Sequence, residues 1–335
     1  MSVFFSHPAS LEHDTGPGHP ERVERLEALE AELQRRDWLG YERREAPRVA
    51  PDALLAIHPQ EYVDAVRDTS ARSGAFDLDT PTSEGSWEAA LRGAGGACAL
   101  AEALLGGGER VGFSALRPPG HHAERRRAMG FCLFANVSIA AQHALDSLGA
   151  QRVLVVDWDV HHGNGTNAIF HETRDVLFVS LHQYPFYPGT GPLSDAGAGA
   201  GEGYSLNLPV PAGAGEELFC GLVEHVVLPV ARAYDPDLVL VSAGFDAHRD
   251  DPVGGCALET SSFAELTRQL LTLARPMGCV LEGGYDLNAL ALSTAATMEA
   301  LVAGGEPGSH PRGKLVEAAR EQVGRYWDLG STERT

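Results

Sequence analysis

The sequence contains no CxxC pair, no low-complexity tract, no internal repeat, and no long apolar run at its start. Its opening residues, Met1 to Pro8, lack the basic flank and apolar core of a secretory leader or membrane span, which leads us to expect a cytoplasmic protein. Five cysteines (Cys98, Cys132, Cys220, Cys256 and Cys279) are scattered and odd in number, which argues against a disulfide framework and against a thiolate zinc site. They are better read as small buried apolar residues. Lysine is nearly missing, with Lys314 alone, so arginine supplies the rest of the positive charge; we attach no mechanism to that bias. Positive charge is scarce in any form: 26 Lys plus Arg face 46 Asp plus Glu, for a formal net charge of −20. A surface of that sign repels phosphate backbones and anionic lipid, so neither nucleic acid nor membrane is expected as a partner. Cationic substrates suit it better.

What is present is the composition of a globular protein with a large core: 44% hydrophobic and 21% charged residues over 335 positions. Val23, Leu26, Leu29 and Leu33 recur at three- and four-residue intervals, predicting an amphipathic helix over 21–33 with His19-Pro20 at its start. Shorter helices are expected over 52–58 and 61–67, and an Ala-rich one over 87–105 that ends in Gly106-Gly107-Gly108. Beyond residue 110, short apolar runs alternate with helix-like segments, the pattern of a mainly parallel sheet covered by helices on both faces. Four of these runs (111–116, 152–156, 237–243 and 278–282) are each followed by a polar, glycine-rich cluster. Parallel α/β sheets build their sites beyond the carboxyl ends of the strands, so the four clusters should meet in one crevice and make one domain. The Gly, Ala and Pro-rich interval 185–215 reads as a long surface loop over that rim, and 304–313 as an exposed connection before a polar terminal helix. We place the catalytic domain at 1–305 and a helical extension packed on it at 306–335.

The densest chemistry lies at Asp157, Asp159 and His161, which are spaced by two on a chain leaving a buried strand, so that their side chains project to one side. Carboxylate oxygens with an imidazole suit a borderline ion such as Zn²⁺, and a three-ligand set leaves a position for water or substrate. Asp246, at another strand end, can supply the third ligand. The blander alternative is that these aspartates satisfy loop amides in turns. His121-His122 follows Arg117-Pro118-Pro119-Gly120, a stiff segment that fixes where two imidazoles point, and imidazole is suited to general acid and base work near neutrality. Tyr285 follows Gly283-Gly284, and its hydroxyl could donate to an oxygen gaining negative charge, although tyrosine beside glycines is also an ordinary turn.

Taken in order, Arg117 to His122, Gly130-Phe131-Cys132, Asp157 to Gly165, Gly189-Thr190-Gly191, Gly244-Phe245-Asp246 and Glu282 to Tyr285 resemble the histone deacetylase superfamily, which includes acetylpolyamine amidohydrolases and has the arginase/deacetylase fold. The likeness runs from about residue 11 to 293. It implies that Asp159, His161 and Asp246 bind Zn²⁺ or Fe²⁺, that His122 transfers protons with His121 assisting, that Asp157 and Asn164 orient those two histidines, and that Tyr285 binds the carbonyl oxygen. It further implies a slot lined by Gly130, Phe131, Phe186 and Tyr187, a rim aspartate at Asp79, an arginine beneath the site at Arg22, and a K⁺ held by main-chain oxygens around Asp157, Asp159, His161, Ser180 and Leu181. The substrate so implied is an acylated lysine in a peptide or protein, or alternatively an acylated small amine such as an acetylpolyamine. A metal-stabilised module without turnover is a third reading, disfavoured by the retained histidine pair and tyrosine.

Two departures place the chain within that superfamily. Asn164 stands where many nuclear members carry aspartate, which points to the second class and its bacterial relatives. Val253 stands where a polyamine-selective relative carries a gatekeeping glutamate, which disfavours a second ammonium group on the substrate. Oligomeric state is open; a homo-oligomer in which residues 1–20 and 185–215 close the rim against a neighbour is compatible with the sequence.

Overall fold

A computed structural model describes residues 2–106 and 108–330, so Gly107 and the last five residues of the predicted extension lie outside the described residues. Among the described residues eight strands form one sheet: β1 (Ser2–Ser6), β2 (Glu42–Glu45), β3 (Val111–Ser114), β4 (Val153–Asp157), β5 (Val176–Gln183), β6 (Ser205–Val210), β7 (Leu238–Ala243) and β8 (Met277–Leu281). Their order is β2-β1-β3-β8-β7-β4-β5-β6, and every pairing is parallel. The helices, in chain order, are α1 (Glu24–Arg35), α2 (Pro51–Ile57), α3 (Gln60–Ala71), α4 (Ser86–Gly106), α5 (Asn136–Ser147), α6 (Asn164–Phe170), α7 (Glu216–Leu222), α8 (Leu228–Tyr234), α9 (Thr260–Leu271), α10 (Leu287–Ala303) and α11 (Lys314–Val323).

The strands show why the sheet is covered twice. In β4, Leu154 and Val156 join one core layer with α1 and α7 to α11, while Val153 and Val155 join another with α2 to α6. Successive side chains of a strand point to opposite faces, and here both faces are buried. Continuous apolar runs follow from that, and they made β3, β4, β7 and β8 legible. These same four strands are neighbours in the sheet, in the order β3-β8-β7-β4, so the clusters after them open onto one edge.

Several expectations need correction. The interval 185–215 is not one loop, because β6 lies within it and pairs with β5; Pro209 and the glycines around the strand hid its pattern. The first helix begins at Glu24, three residues later than expected, because Glu21 is drawn into a buried ion pair. Beyond residue 305, α11 sets Val316, Ala319 and Val323 into the core layer it shares with α7. No helix among the described residues is long and apolar enough to cross a membrane.

Candidate active site

Beyond β4 the chain leaves the sheet through a succession of side-chain-capped amides. Asp157 Oδ1 accepts the Asp159 N–H (3.1 Å), and Asp159 Oδ1 accepts the His161 N–H (2.9 Å). Turn formation and ligand placement are therefore one arrangement, since the bonds that satisfy the backbone also aim the carboxylates. His161 Nδ1 lies 3.0 Å from Asp159 Oδ1 and 3.1 Å from Asp246 Oδ2, with Asp246 held from the end of β7 by its bond to the Val160 N–H (2.8 Å). Donor atoms of Asp159, His161 and Asp246 all lie within 4.8 Å of one another, and all three residues are buried.

This donor set fits a divalent cation. Burial, and then the charge of Asp159, push the Asp246 carboxyl up to about 7, and a bound cation relieves such strain between buried carboxylates. Burial opposes ionisation of Asp159 too, but His121 and His161 hold it well below the usual range. His161 is pushed up to about 10 against its burial by hydrogen bonds to the same two carboxylates. Space for the ligands comes from missing side chains: a Cβ on Gly244 would strike the Asp159 carboxylate, and one on Gly283 would strike those of both Asp246 and Asp159.

His121 and His122 stand with ring centroids 4.0 Å apart. His121 Nδ1 lies 3.0 Å from Asp157 Oδ2, and His122 Nδ1 lies 2.7 Å from Asn164 Oδ1. The Asn164 amide is itself oriented, donating to Glu124 Oε1 (3.0 Å), so its oxygen faces His122. An amide oxygen only accepts, so Nδ1 carries the proton and Nε2 is left to exchange one. Burial disfavours charge on both rings. At His121 the carboxylates of Asp159 and Asp157 overcome it and drive the imidazole well up, whereas His122, beside the charges of His121 and His161, is driven well down. The two imidazoles thus lie side by side with different partners, a carboxylate behind His121 and a neutral amide behind His122.

Aromatic rings wall the approach. Phe131 meets Tyr285 edge-on at 5.8 Å, Phe186 stacks on His161 at 5.3 Å, and Tyr187 meets His122 edge-on at 5.3 Å. Gly130 (φ +57°) turns the chain into Phe131, and a side chain there would collide with the His122 ring. Tyr285 is buried beneath the Arg25 guanidinium, 5.0 Å from the ring centre, and burial pushes its hydroxyl well up, keeping it a neutral donor. Asp79 is not brought to the ligands. It sits half-buried on the rim, tied to the slot through Thr80 Oγ1, which donates to its carboxylate (3.3 Å) and accepts the Phe131 N–H (3.3 Å). Ser180 is the register partner of Asp157 across β4 and β5, with Leu181 next to it, all buried.

One expected residue is wrong. Arg22 is exposed, and the arginine beneath the site is Arg25, one helical turn on, which donates to the carbonyl oxygens of Gly284 (2.6 Å) and Glu282 (2.5 Å). Arg22 precedes α1 and Arg25 lies in its first turn, both beside the apolar stripe, and only the tertiary fold turns Arg25 inward. Arg25 and Arg117 share the fully buried Glu21, whose carboxyl is held well below its usual range by Arg117 despite the burial. Glu282 was also missed as a working carboxylate. Its Oε2 accepts the amides of Gly120 (2.6 Å) and His121 (3.1 Å), and its Oε1 accepts from Ser242 Oγ (3.3 Å). An acidic residue ending the apolar run of β8 was the available signal. Glu282 also lies near Cys132 and His121 in a second potential donor group, but those bonds commit its oxygens, and burial pushes the Cys132 thiol well up.

Residues 19–301 match the family model described as the histone deacetylase domain. The chain is 41% identical over 316 residues to histone deacetylase 15 of Arabidopsis thaliana, covering 91% of this chain but 56% of that protein. It is 40% identical to a protein named probable deacetylase from Methanothermobacter thermautotrophicus (88% of this chain, 89% of that one), and 38% identical to the human polyamine deacetylase HDAC10 (91% and 49%). Among solved structures, the crystal structure of the HDA15 HD domain superposes with a TM-score of 0.92 at 38% identity, covering 98% of this chain and 96% of that one. The chain thus spans about half the length of the plant and human relatives and most of the archaeal one.

Proposed function

Since the chain belongs to the histone deacetylase family, whose membership implies a metal-dependent deacetylase, we propose that it removes acetyl or other acyl groups from the ε-amine of lysine in proteins or peptides. The observation that carries this reading is the imidazole pair, His121 backed by Asp157 and His122 by Asn164, set beside the Asp159, His161 and Asp246 donors at the inner end of an aromatic slot. Zn²⁺ is the ion the two carboxylates and one imidazole suit, with Fe²⁺ the alternative, and K⁺ is assigned to the main chain around Asp157, Asp159, His161, Ser180 and Leu181. A divalent ion bound there supplies Lewis acidity to an acyl carbonyl and acidity to a water.

The residues of the chain do the rest. Phe131, Phe186 and Tyr187 hold the substrate's alkyl chain and exclude solvent, leaving the scissile amide facing the histidines. His122 Nε2 takes a proton from the attacking water and delivers it to the departing amine nitrogen as the C–N bond breaks. His121, paired with Asp157, adds positive charge beside that transfer. Tyr285 donates its hydroxyl hydrogen to the carbonyl oxygen as it gains negative charge. The products are a carboxylate and a free amine. Asn164 supports assignment near the second class and its bacterial relatives, and the cytoplasm is the compartment we assign.

The second reading, an acetylpolyamine deacetylase, has support in the human relative named for that activity. Against it, by resemblance Val253 stands where a polyamine-selective relative carries a gatekeeping glutamate, and its side chain is apolar. Comparing kcat/KM for an acetyl-lysine peptide with that for N-acetylputrescine and N-acetylspermidine separates the two. We expect the peptide to be preferred; turnover confined to the polyamines would overturn the lysine assignment.

A further inference from the structure

We propose that Asp251 is a positioning residue that locks the main chain of Tyr285 and the loop at Val253 and Gly254 into one rigid piece; this rests on the reading of Tyr285 as the donor to the carbonyl oxygen. Asp251 lies in the loop after β7, five residues beyond Asp246, and its side chain is buried. Its Oδ2 accepts the N–H groups of Tyr285 (2.6 Å) and Asp286 (3.1 Å), and its Oδ1 accepts those of Val253 (2.9 Å) and Gly254 (3.3 Å). Four amides from two loops thus converge on one carboxylate, and hydrogen bonds to an ionised acceptor are the strong ones.

These amides need such a partner. Asp286 is the N-cap of α10, its side chain accepting the Ala289 N–H (2.8 Å), so the amides of Tyr285 and Asp286 precede the helix and find no acceptor within it. The turn that exposes them is made by Gly284 at φ +121°. Arg25 grips the same turn from its other side, through the carbonyl oxygens of Glu282 and Gly284. A cation therefore holds the carbonyls of the turn and an anion holds its amides, with Tyr285 fixed between them. A hydroxyl that must meet a reacting oxygen requires such support, because a displacement of about 1 Å can cost about a hundredfold in rate. The bonds to Val253 and Gly254 extend the same restraint to the loop that follows Asp246.

A double-mutant cycle on the metal-loaded full chain tests this, with Asp251→Asn, Tyr285→Phe and both together assayed for kcat and KM on an acetyl-lysine peptide. Asp251→Asn should lower kcat by about tenfold to a hundredfold with KM within about twofold, and should cost less than about twofold when added to Tyr285→Phe. Losses that multiply would overturn the proposal, because Asp251 would then act independently of Tyr285. Asp251→Glu keeps the charge but moves the carboxylate, so it should lose activity as Asn does; full activity in that variant would overturn the positional claim. Hydrogen exchange of residues 283–286 gives a readout independent of turnover. The Tyr285 and Asp286 amides should be protected in the parent chain and exchange about tenfold faster in Asp251→Asn, and unchanged exchange would overturn the proposal. If the parent chain hydrolyses no acylated amine, the functional reading fails while the exchange result still decides the positioning claim.

Discussion

The Gly283 amide donates to Asp159 Oδ2 at 2.9 Å, which joins the strand end carrying Tyr285 to the strand end carrying the candidate ligands. Gly283 does not have a positive φ, so its value lies in space: a Cβ there would meet the carboxylates of Asp246 and Asp159. Gly283→Ala is accordingly expected to weaken Zn²⁺ affinity by about tenfold to a hundredfold while the chain still folds. Competition with a chromogenic chelator measures this, and parental affinity in the variant would show that the crowding is relieved elsewhere.

Tyr285→Phe removes one hydroxyl from a buried ring that keeps its contacts with Phe131 and Arg25. The expected loss is about 10² to 10³ in kcat, the cost of a single donor to a developing oxyanion, with bound metal unchanged. Steady-state kinetics with metal analysis on the same samples checks it. Unaltered kcat would remove Tyr285 from the reaction.

Glu21 sits at zero exposure between Arg25 and Arg117. Glu21→Ala leaves two buried guanidinium groups without their counter-charge, for which we expect a loss of about 3–5 kcal/mol of unfolding free energy. The exposed pair Arg126 and Glu61 is the control, with an expected effect within about 1 kcal/mol for Glu61→Ala. Urea denaturation of both variants makes the comparison.

His58 gives the pH dependence a sign. Burial pushes it down to about 4, and its bonds explain the neutral form: Nδ1 lies 3.1 Å from the Arg125 carbonyl, and Nε2 accepts the Ala135 N–H at 3.0 Å. A second ring proton would confront that N–H. The unfolded chain protonates near the ordinary value of 6.5 and the native chain only near 4, so stability is full above about 6.5 and is lost as pH falls toward 4. The span corresponds to about 3 kcal/mol. Burial moves His182 down to about 4 as well, adding to the slope. Because raised carboxyls such as Asp246 titrate with the opposite sign, the test is a difference: the unfolding free energy of His58→Gln relative to the parent should rise as pH is lowered from 7 to 4.

The sequence made much of this legible for a physical reason. The ligand and histidine clusters follow strands buried on both faces, and continuous apolar runs ending in polar, glycine-rich turns are hard to mistake. What stayed hidden depends on tertiary contact. Nothing local distinguishes Arg25 from Arg22 until α1 packs against the Gly284 turn, and the carboxylates of Asp251 and Glu282 accept from main-chain amides, which have no residue signature. β1, β2, β5 and β6 were missed for other reasons. β2 is a four-residue edge strand of charged side chains, and β6 lies among glycines and prolines, where composition resembles loop.

The central claim is that Asp159, His161 and Asp246 hold the ion on which hydrolysis depends. The direct measurement is acetate release from an acetyl-lysine peptide as metal-stripped chain is titrated with Zn²⁺. Activity should rise linearly and break at one equivalent, and Asp246→Ala should show no such rise. Full activity in the stripped chain, or the same titration in Asp246→Ala, would contradict the account.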